Sequence, residues 1–388
     1  AWLAPMLDGE RVVRGRDWLL LGDPRDPGRL RQRWIRKRHP DRCRIVVAEP
    51  ALGSELRARW NKAGQQGGGT IAGLPEFVFR QAVLALERAE RRIRGARYKV
   101  PKLLAAEILD RPDFRSRLGQ LAREAGVPDS KILKEATANL QEIAATHTTY
   151  VIDIAAQLIR KVYTQGYAKE IEYNQDELRH IAGLSQRHPV VFLPTHKSNL
   201  DHLALQYMLY ENGLPPNHTA GGINMNFFPL GSIIRRSGVF FIRRSFRDQP
   251  IYKLVLRHYI DYLIEKRFSL EWYIEGGRSR SGKLLPPKFG LLAYVVDAWR
   301  RGKADDVKLI PVSIAYDQIQ EVDGYSEEQQ GGEKRKESFG WMVGVIRALR
   351  KRYGRIHVRF GEPVSLADQL GEPNEIKKEE PDEKEIAL

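Results

Sequence analysis

His196 stands five residues before Asp201 in the stretch PTHKSNLDHLAL, directly after the apolar run VVFLP (190–194). A histidine at the carboxyl end of a strand is placed where open α/β sheets put their chemistry. As a general base it needs a partner that holds its tautomer and stabilises the imidazolium it becomes. A helix starting near Ser198 or Asn199 would carry Asp201 in its first turn, within reach of the imidazole. Taken alone, the pair reads first as a surface histidine beside an acid favoured by a helix dipole.

Three further stretches carry chemistry-bearing residues. GGINMNFFPLGSIIRRSGVFFIRRSFR (221–247) holds Arg235, Arg236, Arg243, Arg244 and Arg247, with no acid from Asn212 through Arg247. Arginines without a local carboxylate suit bidentate phosphate recognition, or else form a solvated basic face. YIEGGRSRSGK (273–283) runs from a strand into Glu275, then Gly276 and Gly277, then Ser279 among Arg278, Arg280 and Lys283. The glycines permit close backbone approach to a ligand, and the cations can hold a phosphate. The spacing matches neither a P-loop nor a dinucleotide fingerprint. LIPVSIAYD (309–317) reads as a buried strand whose Pro311 is expected at an end or a bulge. A zincin HExxH motif, a GxSxG nucleophile elbow and a metal-ligand spacing are all missing.

These residues need a frame. From position 189 onward, short runs rich in β-branched and aromatic residues (190–194, 238–242, 269–274, 308–316 and 355–360) alternate with helical stretches near 199–212, 250–267, 289–301 and 339–353. That alternation predicts an α/β fold, a central mixed sheet flanked by helices. Before it, helical periodicity over 76–95, and again over 131–165 from an N-cap at Asp129, predicts a helical segment. The first residues read as a small mixed segment, closed by the glycine-rich stretch 64–73. The expected division is therefore 1–73, a mixed segment; 74–175, helical; 176–368, α/β; and 369–388, a charged tail expected to be disordered.

Composition narrows the classes. The 388 residues are 42% hydrophobic and 29% charged, which excludes collagen-like and wholly disordered chains. With 64 basic against 49 acidic residues the net charge is +15, which calls for an anionic partner. The single cysteine, Cys43, forms no internal disulfide and fits a reducing compartment. The longest apolar stretch, around Phe289 to Val296, is far short of the about 20 residues of a spanning helix, so membrane contact is expected to be peripheral. Basic residues are not interleaved with stacking aromatics, so a nucleic-acid partner is not expected.

Read in order, the four stretches resemble the four sequence blocks of the glycerolipid acyltransferases: HKSNLD, GVFFIRR, EGGRSRSGK and IPVSIAYD. The phrases AGGINMNFFPLG and EGG are similar to those of the bacterial membrane-bound glycerol-3-phosphate acyltransferases of the PlsB type. The resemblance extends from ALERAERRIRGARYKVP (85–101) to RKESFGWMVGVIRALRKRYGRIHVRFGEPVSL (335–366). Bacterial members of this type continue well past the fourth block, so a truncated form or a minimal variant is expected.

The resemblance implies transfer of a fatty acyl group from acyl-CoA or acyl-carrier protein to the sn-1 hydroxyl of glycerol-3-phosphate, giving lysophosphatidate. His196 would be the general base and Asp201 its orienting partner, with direct attack on the thioester and no acyl-enzyme. Arg243, Arg244, Arg278 and Lys283 would hold the acceptor phosphate. Ser198, Glu275, Gly276, Gly277, Ser279 and Pro311 would shape the pocket. No cofactor or metal is implied beyond the acyl co-substrate. The resemblance places the chain on the cytoplasmic face of the inner membrane, docked on anionic lipid, and Phe227, Phe228 and Leu230 are candidates either for core packing or for insertion there. Dihydroxyacetone phosphate or lysophosphatidate as acceptor, or a non-catalytic basic module binding lipid or nucleic acid, are the alternative readings.

Overall fold

The computed structural model describes residues 2–3, 33, 36–38, 40, 43–44, 50–66, 73–94, 103–148, 151–152, 154–157, 159–160, 167, 171–198, 200–226, 230–279, 281–319 and 353–371. The sequence readings at Phe227 and Phe228, the helix expected over 339–353 and nearly all of the charged tail lie outside these residues, as does the side chain of Leu230. The chain divides into two units, residues 1–98 and 99–388.

Among its described residues the first unit shows a short antiparallel pair, β1 (Trp2–Leu3) and β2 (Cys43–Arg44), and the helices α1 (Gly53–Gln66) and α2 (Leu74–Arg94). In α2 Arg80 pairs with Glu76, one turn earlier, at 3.5 Å.

The second unit is built on a seven-stranded sheet in the order β5–β4–β6–β3–β7–β8, with β9 also paired to β7. Its strands are β3 (Val190–Pro194), β4 (His218–Gly222), β5 (Val239–Ile242), β6 (Leu270–Glu271), β7 (Lys308–Tyr316), β8 (Ile356–Phe360) and β9 (Val364–Ser365). β3 to β7 run parallel, whereas β8 and β9 are antiparallel to β7. This is the mixed sheet flanked by helices that the alternating pattern predicts.

Each face of the sheet has its own core. On one, α6 (Gln175–Arg187) and α7 (Asp201–Glu211) cover Val190, Phe192, Ile310, Val312 and Ile314. On the other, Val191, Leu270 and Leu309 pack in one cluster with α3 (Leu104–Leu109), α4 (Pro112–Ala125), α5 (Asp129–Ile143), α8 (Pro250–Glu265) and α9 (Gly290–Arg300). Helices α3 to α5, from the stretch expected to form a helical domain, thus share a core with the sheet. Their ends follow from residue chemistry: Pro112 opens α4, and Gly126 closes it in the left-handed region at φ 65°. Asp129 is the first residue of α5 rather than its cap, a place taken by Pro128.

Pro311 is neither at an end nor in a bulge. It lies inside β7, in register with Leu193 of β3. Its carbonyl accepts from Gly361, on the side where β9 pairs at Leu309 and β8 pairs at Val312. The N–H and C=O of one strand residue point the same way, so the missing N–H of Pro311 falls in the corner between β8 and β9, where no ladder bond is required.

The ring of His147 meets that of His218, the first residue of β4, with centroids 4.2 Å apart and planes tilted at 50°. Gly238, at φ 119°, passes so close that a Cβ would stand 2.6 Å from His147 Nε2 and 2.7 Å from the Asn217 carbonyl. Burial pushes the His147 imidazole down from 6.5 to about 4, against a smaller opposing effect of the Asn217 backbone. Because the folded value lies below the unfolded one, the unfolded chain binds an extra proton between those two pH values. Stability is therefore full above about pH 6.5, falls as the pH drops toward 4, and loses no more below it. The whole effect is at most about 3 kcal/mol. Urea unfolding of His147→Phe across this range is expected to show a slope smaller by one proton than the parent's; an identical slope would show that another group carries the effect.

Candidate active site

The carboxyl ends of β3, β6 and β7 bring three of the four chemistry-bearing stretches together. Asp201 opens α7 and is fully buried. Its Oδ2 accepts from the backbone N–H groups of Lys197 (2.7 Å) and Ser198 (2.8 Å) and lies 3.0 Å from His196 Nδ1. Its Oδ1 accepts from the Tyr316 hydroxyl at 2.7 Å. An ionised carboxyl only accepts, so Nδ1 carries the proton and Nε2 keeps its lone pair. The His196 side chain is 21% exposed, enough for a hydroxyl to reach it.

The rest of the setting fixes the loop. The His196 ring stacks on Tyr273, centroids 4.0 Å apart and planes at 28°. Ser198, itself buried, accepts from the Leu200 N–H through Oγ. Thr195 donates its N–H to Val312 O and accepts from the Ile314 N–H through Oγ1. Buried Glu275 ties the first block to the third: Oε1 accepts from the His196 N–H at 3.1 Å and Oε2 from the Leu285 N–H at 2.9 Å. Ser279 donates its N–H to the His196 carbonyl at 2.7 Å, and its hydroxyl donates to the Lys283 carbonyl. Gly276 is left-handed at φ 63°, with the Lys288 methylenes where a side chain would be, whereas a Cβ on Gly277 would meet open space. Arg278 is half-buried beside this turn and Lys283 is exposed.

Glu271, fully buried in β6 at the middle of the sheet, ties α7 to the strands. It accepts from Gln206, Asn217 and Thr219, and its Oε1 lies 3.0 Å from His202 Nδ1.

Two of the arginines expected to lack carboxylates are engaged. Arg243 binds Glu142 of α5 bidentately, through Nε and Nη2 at 2.7 Å each. Asn139 and Gln249 accept further hydrogens, and the guanidinium lies over the Tyr252 ring at 4.5 Å. The Glu142 carboxylate raises the arginine's pKa, as a partner of opposite charge must. Arg235 caps α5 by donating to the Gln141 and Ala144 carbonyls. The local sequence hides both partners because they come from a helix roughly a hundred positions away. Arg244 is exposed. Arg243 follows β5, three places from β3 in the sheet, or about 14 Å at ordinary strand spacing. Arg278 follows β6, the neighbour of β3. Pro311 is exposed on the sheet face, its ring against Gly361.

Sequence reasoning missed Tyr316, Tyr273 and Glu271. Tyr316 sits within the quoted fourth block, and its parity in β7, two residues past Ile314, was the available signal. Among the described residues no group of three or more His, Cys, Asp or Glu side chains could hold a metal, and no helix is long and apolar enough to cross a membrane.

The acyltransferase family model matches residues 171–315, and that of the glycerol-3-phosphate acyltransferase C-terminal region matches residues 325–387. Over 304 residues the chain is 36% identical to a protein named glycerol-3-phosphate acyltransferase from Aeromonas hydrophila subsp. hydrophila, covering 78% of this chain and 37% of the relative. Over 278 residues it is 35% identical to one of the same name from Pasteurella multocida, covering 72% and 34%. The chain thus spans little more than a third of the length of these curated relatives. The solved structure of the 1-acyl-sn-glycerophosphate (LPA) acyltransferase PlsC from Thermotoga maritima overlaps 61% of this chain and 76% of its own at 17% identity, with a TM-score of 0.34, a superposition too loose to carry weight.

Tyr316→Phe removes one donor from a fully buried carboxylate. It is expected to lower the unfolding free energy by about 1–3 kcal/mol. A denaturant midpoint equal to the parent's would show that Oδ1 finds another donor.

Proposed function

This chain belongs to the PlsB-type glycerol-3-phosphate acyltransferase family, and from that premise we propose that it transfers a fatty acyl group from a thioester to the sn-1 hydroxyl of glycerol-3-phosphate. The observation that carries the reading is the His196–Asp201 contact at 3.0 Å, with Nε2 left free to take a proton. Nε2 removes the hydroxyl proton as the oxygen attacks the thioester carbonyl. The tetrahedral intermediate then expels the thiolate, which recovers the proton from the imidazolium. Asp201 stabilises that imidazolium through Nδ1, and stacking on Tyr273 holds the ring plane. Direct attack needs no enzyme nucleophile, no metal and no cofactor besides the acyl donor, acyl-CoA or acyl-carrier protein.

Arg278 and Lys283, on the turn tied to His196 by Ser279 and Glu275, are the cations best placed for the acceptor phosphate. Arg244 adds positive charge from the next block. Arg243, gripped by Glu142, orients that block and offers its remaining Nη1 hydrogen. Gly276 and Gly277 keep the turn low enough for a phosphate to approach, and Ser198 holds the first turn of α7. Pro311 lines the acyl or acceptor side. The product is an amphiphile and the chain carries +15, so the protein works as a peripheral enzyme on an anionic membrane surface, at the cytoplasmic face of the inner membrane.

Thiol release from palmitoyl-CoA, measured with and without glycerol-3-phosphate, tests the reading: release is expected only with the acceptor. Dihydroxyacetone phosphate or lysophosphatidate supporting release in its place would move the acceptor. His196→Ala is expected to lower turnover by about 10²–10⁴-fold with the circular dichroism spectrum retained; undiminished turnover would sink the assignment. Arg278→Ala is expected to raise KM for glycerol-3-phosphate by about tenfold or more, as loss of a charge-assisted contact does. An unchanged KM would place the phosphate elsewhere.

A further inference from the structure

The loop that follows the third block, SGKLLPPKF (281–289), is exposed along its whole length. Single exposed apolar residues need no explanation. Here Leu284 is 72% exposed, Phe289 56% and Leu285 37%, all within six positions and interleaved with Lys283 and Lys288. The chain from Gly276 to Val296 contains no aspartate or glutamate.

The loop is also held in place. Leu285 donates its N–H to Glu275, Lys288 donates its N–H to the Ile274 carbonyl at 2.7 Å, and the Lys283 carbonyl accepts from Ser279. Pro286 and Pro287 stiffen the backbone between them. The apolar tips are therefore presented outward by a fixed scaffold. Apolar tips among cations, in a stretch that itself carries no carboxylate, complement a layer of anionic headgroups over an acyl interior.

We propose that residues 284–289 are the surface by which this chain seats itself on an anionic lipid bilayer, with Leu284 and Phe289 entering the headgroup boundary and Lys288 meeting lipid phosphates. The proposal gives a location to the membrane partner of the proposed function and rests on that reading for its purpose. Glu275 carries the consequence: one oxygen holds the loop at Leu285 and the other holds His196, so seating the loop sets His196 at a fixed height over the lipid.

The test is co-sedimentation of the full chain with vesicles of phosphatidylcholine alone and with vesicles of equal parts phosphatidylcholine and phosphatidylglycerol. The parent chain is expected to partition onto the mixed vesicles only. Leu284→Ser/Phe289→Ser is expected to reduce that partition by about tenfold or more. Its thermal unfolding, and its turnover of glycerol-3-phosphate with a water-soluble short-chain acyl-CoA in the absence of vesicles, are expected to match the parent's. Undiminished partition of the double variant would overturn the proposal, as would equal binding of the parent to both vesicle types. So would loop-dependent capture of acyl-carrier protein with no vesicle binding, which would assign the surface to an acidic protein. Failure of soluble turnover in parent and variant alike would count against the transferase reading alone, because partition is read without catalysis.

Discussion

The site depends on a carboxylate taken out of water. Asp201 is fully buried, and an ionised group in that position is tolerated only if its lone pairs are filled. Two of its donors are backbone N–H groups of the loop it anchors, one is the imidazole it orients, and one is a hydroxyl from β7. The need to satisfy Asp201 thereby dictates the path of residues 196–198, the position of α7 against the sheet, and the angle of His196. Removing the carboxylate would release the loop as well as the base.

Burial of a second carboxylate extends this constraint across the sheet. Glu271 lies in the shortest central strand, and its acceptors take up side chains from α7 and β4. Glu275, at the end of the same segment, takes up backbone donors from two loops. The three acids make a polar spine along the carboxyl edge of the sheet, and each aliphatic neighbour packs around a frame that these contacts have already fixed.

Much of the frame was legible in the residues. The runs VVFLP and KLIPVSIAY match β3 and β7 to the residue, because β-branched side chains between helical stretches have few other uses. The pairing of His196 with Asp201 was legible too, since a strand followed at once by a helix leaves the pair little room to separate. HTAGG gave no such signal: β4 is polar and glycine-rich, and it is a strand because β5 and β6 flank it. Glu142 could not be foreseen as the partner of Arg243, and strand parity gave Tyr316 its face but not its contact with Asp201. Both contacts join residues roughly a hundred positions apart, so only the folded sheet sets their distance. The sequence likewise could not show that α3 to α5 share the core of the sheet, because amphipathic periodicity tells which face is apolar and not what covers it.

The corner at Pro311 has a bearing on how this sheet can change over generations. Any other amino acid there would bring an N–H into the corner between β8 and β9, where proline leaves none. Any side chain at Gly361 would meet the proline ring at 3.2 Å. Although far apart in the chain, the two meet at one corner of the sheet, and a turn of another length between those strands would have to be built around both.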